Sequence, residues 1–140
     1  MMEMPGVLSE AIGAFAVLPD RRSRLEYLIE LGEGLSYDGS VVREENRIQG
    51  CVSSVFVSGS LDSGRMVYSG WADSLIMRGF LRLLCEAFSG VEPRGIVEES
   101  EEVIRSFVDE THIDASLIES RANSFGTIYA RMRSLAQVYV

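Results

Sequence analysis

Hydrophobic and polar positions alternate with two different periods along the chain, helical at both ends and two-residue in the middle. Ser9 is placed to cap a short helix that ends near Val17, with Pro19 interrupting it. Asp20 then opens a second helix in which Leu25, Leu28 and Ile29 share one face, and Gly32 and Gly34 supply a stop. Tyr37 to Asn46 is polar and reads as a connection. From Arg47 to Trp71 the period changes: Val55 and Val57 alternate with Phe56, and Met66 and Tyr68 alternate with Val67. Asp62-Ser63-Gly64 between them is turn chemistry. An antiparallel hairpin follows, with a third short strand near Arg47 to Gln49. Asp73 is placed to cap a long apolar helix that ends near Phe88, with Gly90 as its stop. Leu75, Ile76, Gly79, Phe80, Leu83 and Ala87 form its main stripe, Met77, Leu81 and Cys85 lie on the far side, and only Arg78, Arg82 and Glu86 are polar. Such a helix is covered on more than one side. Pro93 opens a short helix through Val97. The acidic run from Glu98 to Glu102 reads as a solvated helix start, and Val103, Ile104, Phe107 and Val108 follow at helical spacing. Asn123 is placed to cap a last helix with Phe125, Ile128, Tyr129, Met132, Leu135, Ala136 and Tyr139 on one face. The pattern predicts an α+β fold, a small three-stranded antiparallel sheet with helices packed on one side, in one domain spanning 1–140.

Composition narrows the chemistry. The 140 residues are 46% hydrophobic, enough for a core, and 13 basic against 21 acidic residues give a net charge of −8. A surface of that sign is a poor general host for nucleic acid. All the basic residues are arginine. Without lysine there is no Schiff base to a carbonyl cofactor and no P-loop lysine. One histidine, His112, excludes histidine-rich metal centres, and two cysteines cannot build a four-thiolate site within the chain. The N-terminal part carries Glu3 and Glu10 and has no base before Arg21, unlike a secretory signal. Its longest apolar run, Ala11 to Leu18, is far shorter than the roughly 20 residues that span a bilayer. The expectation is a cytoplasmic protein with reduced thiols and no membrane segment.

Cys51 is the main candidate for chemistry. It follows Gly50, precedes Ser53 and Ser54, and stands where the polar connection meets a strand, with Arg43 and Arg47 close in sequence to favour its thiolate. The bland alternative is a small buried hydrophobe. Cys85, between Leu84 and Glu86 in the apolar helix, reads as packing. His112 has no triad partner at recognisable spacing and reads as a surface or cap residue. Tyr68 and Trp71 could form an exposed face, although at least one ring is expected to pack. Gly32 and Gly34 follow no strand and make no dinucleotide fingerprint. Arg121 alone would pass as a surface charge.

The stretch Asn46-Arg47-Ile48-Gln49-Gly50-Cys51-Val52-Ser53-Ser54-Val55-Phe56 resembles the cysteine loop of SufE-type (SufE/CsdE-like) sulfur acceptors. The likeness continues in order. Leu28-Ile29-Glu30-Leu31-Gly32 resembles the preceding helix. Ser69-Gly70-Trp71-Ala72-Asp73-Ser74, with Ile76, Arg78-Gly79 and Phe80, resembles the strand-to-helix junction. Ser89-Gly90, Pro93 and Ile96 resemble the next turn, and Ser120-Arg121 with Gly126 resembles the late arginine–glycine element. The similarity runs from about Arg21 onward. Where the family often has two glutamines and a tryptophan around the strand start, this chain has Val52, Ser54 and Phe56.

The resemblance implies a SufE/IscU-like fold and a carrier. Such proteins accept sulfur from a cysteine desulfurase of the SufS or CsdA type, raise its turnover, and pass the sulfur to the SufBCD scaffold. Cys51 matches the acceptor cysteine. Asp73 and Arg121 match polar residues near that cysteine and the partner surface. Thiol-to-thiol transfer calls for no cofactor and no metal, and the lack of lysine makes this chain a recipient and not a desulfurase. The expected loop shelters a Cys51 persulfide and releases it on docking. Two readings compete with the carrier: an adaptor that binds a desulfurase or another partner without chemistry, and a thiol-redox protein, for which no Cys-x-x-Cys pair exists.

Overall fold

The hairpin is the centre of the molecule. In the computed structural model, which describes residues 2–49, 54–113 and 124–140, strand β1 (Val55–Asp62) pairs antiparallel with β2 (Arg65–Ala72). Ser63 and Gly64 both have positive φ, 54° and 80°, so the two-residue turn matches the right-handed twist of the strands it joins. In this register Val55, Val57 and Gly59 share an inner face with Met66, Tyr68, Gly70 and Ala72, while Phe56 stands opposite Trp71 on the outer face.

Five α-helices are described: α1 (Gly6–Val17), α2 (Arg21–Glu33), α3 (Leu75–Phe88), α4 (Pro93–Thr111) and α5 (Ser124–Gln137). Helices α3 and α5 cover the inner face of the hairpin. Tyr68 is buried there, and its hydroxyl donates to the Met132 carbonyl of α5 at 2.7 Å. Phe80 of α3 is fully buried and meets Phe125 of α5 edge-on at 5.4 Å. Helix α3 is buried on most of its circumference, Met77, Leu81 and Cys85 included. It lies against α2 so closely that a Cβ on Gly79 would overlap the Leu28 carbonyl and one on Gly32 the Leu75 carbonyl. Gly32 is therefore a contact glycine inside α2, and Gly34 alone takes the C-cap.

Several expectations change. Among the described residues the sheet has two strands and not three. Near Arg47 to Gln49 only one isolated bridge forms, Arg47 to Phe56, because Asn46 is still held in a 3-10 turn (Glu44–Asn46) by its side chain on the Val41 carbonyl. Helix α1 starts at Gly6 with Pro5 at the cap, ahead of Ser9, since the Pro5 carbonyl already accepts from Leu8 and Ser9. Ser74, not Asp73, caps α3: its hydroxyl accepts from the Met77 N–H at 3.4 Å. The short helix at Pro93 and the one expected after the acidic run are a single helix, α4. The glutamates lie in its middle, where Arg94–Glu98 (3.2 Å) and Glu101–Arg105 (3.4 Å) pairs offset their repulsion. Tyr139 falls beyond α5 and is partly exposed. Asp20 caps α2 in a reciprocal capping box with Ser23, and His112 ends α4 in the left-handed conformation. Asn123 lies outside the described residues.

Candidate functional site

Cys51 and Arg121 lie outside the described residues, and so does the shelter expected around the cysteine. The flanks of the cysteine segment are described. The chain reaches it at Gln49 and leaves it at Ser54, and three bonds hold those ends, two of them to each other and one from the exit to the residue after β2. The Ile48 N–H donates to the Val55 carbonyl at 2.8 Å, the Asp73 N–H donates to the Ser54 carbonyl at 3.2 Å, and the Arg47 Nη2 donates to the Ser54 hydroxyl at 3.2 Å. The bridge between Arg47 and Phe56 lies just below.

Each bond has a local cause. Val55 pairs with Ala72 at the end of the hairpin, so Asp73, the next residue, is carried across from Ser54. Asp73 is exposed, and its backbone is engaged at the neck while its neighbour Ser74 does the capping. Arg47 follows the 3-10 turn, and its guanidinium lies 5.9 Å from the Phe56 ring and 3.8 Å from Glu44. The turn itself is fastened to α5 by Arg131, whose Nη2 donates to the Glu45 carbonyl at 3.0 Å. Arg43 is exposed at the start of that turn.

On the outer face the Trp71 ring is held between two partners. Tyr37 meets it edge-on at 4.8 Å, and the Arg78 guanidinium lies 4.0 Å from its centroid. Arg78 Nε also donates to the Ala72 carbonyl at 2.6 Å, which closes the corner from β2 to α3. Of the residues singled out by sequence, the structure brings Asp73 and Arg47 together around Ser54. Sequence reasoning missed Arg78 and Tyr37. The signal was present: Phe56 and Trp71 occupy outward positions of the alternation, and half-covered rings attract guanidinium groups.

Cys85 sits elsewhere, buried within α3. Burial, helped by the adjacent Glu86 charge, pushes its thiol up to about 12, which leaves it uncharged and unreactive near neutral pH. Burial likewise holds the Tyr68 hydroxyl far above its usual range. Among the described residues no group of three or more His, Cys, Asp or Glu side chains could hold a metal ion, and no helix is long and apolar enough to cross a membrane.

Residues 9–136 match the family model for SufE, the Fe-S metabolism associated domain. The chain belongs to this family. It is 31% identical over 136 residues to a SufE-like protein of Synechocystis, covering 95% of this chain and 82% of that one. It is 30% identical over 139 residues to a SufE-like protein of Rhizobium meliloti, covering 93% and 94%. In three dimensions it is similar to the solution structure of a hypothetical protein from Thermus thermophilus, with a TM-score of 0.70, 20% identity and 97% of each chain covered. That likeness concerns the fold. SufE membership carries a sulfur-transfer role in Fe–S metabolism, and SufE proteins generally interact with cysteine desulfurases.

Proposed function

We propose that this SufE-family chain carries sulfane sulfur on Cys51. The Cys51 thiolate attacks the outer sulfur of a persulfide on a cysteine desulfurase of the SufS or CsdA type. A new S–S bond forms on Cys51, the old S–S bond breaks, and the donor leaves as its thiolate with the electron pair. No net oxidation occurs, and neither metal nor cofactor takes part on this chain. The carrier then delivers the sulfur to SufBCD, and clearing the donor persulfide raises desulfurase turnover. Asp73 and Arg121 support the cysteine segment and the partner surface.

The observation that supports this most is the neck of the cysteine segment. The Arg47 guanidinium, 3.8 Å from Glu44, is held on the hydroxyl of Ser54, a residue three along the chain from Cys51, and positive charge near a thiol favours the attacking thiolate. The test is an intact mass measured after incubation with desulfurase and free cysteine. One added sulfur atom, lost in Cys51→Ser, is the expected result. A chain that binds the desulfurase, gains no sulfur and still stimulates it as Cys51→Ser would be an adaptor, and the proposal would be wrong.

A further inference from the structure

The free edge of β2 has an opening that the sulfur chemistry does not use. Asp62 and Arg65 close a two-residue turn and form a hydrogen-bonded pair. Alternation along an antiparallel ladder then turns the N–H and C=O groups of Met66, Tyr68, Gly70 and Ala72 away from β1. Half of these outward groups are occupied by described residues. The Met66 N–H donates to the Val91 carbonyl at 2.9 Å, and its carbonyl accepts from the Gly90 N–H at 2.7 Å. The Tyr68 N–H donates to the Ser89 hydroxyl at 3.0 Å, and the Ala72 carbonyl accepts from Arg78. Between these two side chains, the Tyr68 carbonyl, both backbone groups of Gly70 and the Ala72 N–H make no bond with the described residues.

They face a cavity of about 350 Å³ lined by Ser36, Asp38, Arg82, Cys85 and Glu86 as well as the strand itself. The Arg82–Glu86 ion pair, 2.7 Å long, stiffens one wall. A Cβ on Gly70 would lie 2.8 Å from Leu81, so the inner face of this residue is filled and its opening is sideways, along the edge. A buried strand edge with an unused donor and acceptor on one residue is complementary to another residue of extended backbone.

We propose that this slot takes one extended residue of the cysteine desulfurase, paired antiparallel with Gly70. The identity of the partner rests on the sulfur-carrier reading. Ser89 and Arg78 occupy the edge on either side, so the slot accepts a single backbone pair and not a full added strand. Gly70 is the neighbour of Trp71 and lies about 7 Å along the strand from Ala72, which adjoins the neck of the cysteine segment. A protein docked at that neck reaches the slot without a second interface.

Amide hydrogen exchange at Gly70 tests this directly. In the free chain Gly70 should exchange at least tenfold faster than Ser69 and Trp71, which sit in hydrogen-bonded pairs. With saturating desulfurase it should slow at least tenfold, and Ser36→Trp, which fills the mouth of the slot, should weaken the complex at least tenfold. If Gly70 keeps its free rate in a complex that still loads sulfur on Cys51, the slot proposal is overturned and the carrier reading stands. If neither complex nor sulfur loading is seen, both are overturned. The hairpin's other amides report whether Ser36→Trp is folded.

Discussion

Buried Cys85 and the described flanks of the Cys51 segment are two different surroundings. Cys85 is enclosed in α3, and burial together with Glu86 keeps it protonated. The described flanks of Cys51 carry Arg47 on the Ser54 hydroxyl and Arg78 on the Ala72 carbonyl, both with aromatic rings beneath them. One thiol is thus placed where charge is suppressed, while the flanks of the other segment hold a guanidinium shared between the Ser54 hydroxyl and Glu44. Reactivity follows the surroundings and not the residue type. It also explains how a chain without lysine supplies positive charge: guanidinium groups can be pinned by stacking and by carbonyl acceptors at once.

The largest expected effect lies at Cys85. With a folded value of about 12 against an ordinary 9.0, its thiolate fraction at pH 8 is lowered about a thousandfold. Alkylation mapped by mass spectrometry should therefore leave Cys85 unmodified in the folded protein and modify it fully in guanidinium. The same shift has a stability consequence. Between about pH 9 and pH 12 the unfolded chain releases this proton and the folded chain keeps it, so stability falls as pH rises. Cys85→Ala should flatten part of that alkaline limb. Tyr129, also raised by burial, retains some of the slope. Labelling of Cys85 at pH 8 as fast as in the unfolded chain would erase the contrast between the two thiols.

How much of this was legible in the sequence depends on how local each cause is. The hairpin was, because Asp62-Ser63-Gly64 and the alternation of Met66, Val67 and Tyr68 act within a few residues. The Asp20 cap was legible for the same reason. The third strand was not, because Arg47 and Ile48 have strand-like composition but follow a turn fixed by Asn46 and, from a distance, by Arg131. The length of α4 was hidden by its acidic run, whose repulsion is offset by arginines four residues away on either side. At Asp73 the local signal misleads: a carboxylate before an apolar helix suggests a cap, but the bond it makes is its N–H on the Ser54 carbonyl, a contact across the hairpin end. Arg78 escaped notice because a polar strip on an apolar helix reads as solvent-facing, whereas its guanidinium turns back onto Trp71.

A smaller effect is expected at Arg47. Its guanidinium touches the Ser54 hydroxyl, and three residues of chain keep the Cys51 Cα within about 11 Å of the Ser54 Cα. This is comparable to the screening length at physiological salt, about 8 Å, so the charge is attenuated but still felt. Arg47→Gln should slow alkylation of Cys51 at pH 7 about three- to tenfold. The pH of half-maximal rate should move upward, and Arg47→Lys should recover part of the loss. An unchanged pH profile in Arg47→Gln would show that the neck arginine is structural only.

The smallest effect separates the two arginines. Arg78 reaches the cysteine segment only through the corner it closes, from the Ala72 carbonyl to Asp73 and then to Ser54. Arg78→Leu keeps the apolar stem over Trp71 and removes the charge and the hydrogen bond. The expected cost is about 1 kcal/mol in urea unfolding, from one charged hydrogen bond and one partly exposed cation–π contact. The Cys51 alkylation profile should move less than it does in Arg47→Gln, because what is lost is the corner's geometry and not a charge at the neck. Equal displacement of the profile in both variants would mean that Arg78 acts on the thiol through its field, and the distinction between a charge at the neck and a brace behind it would fall.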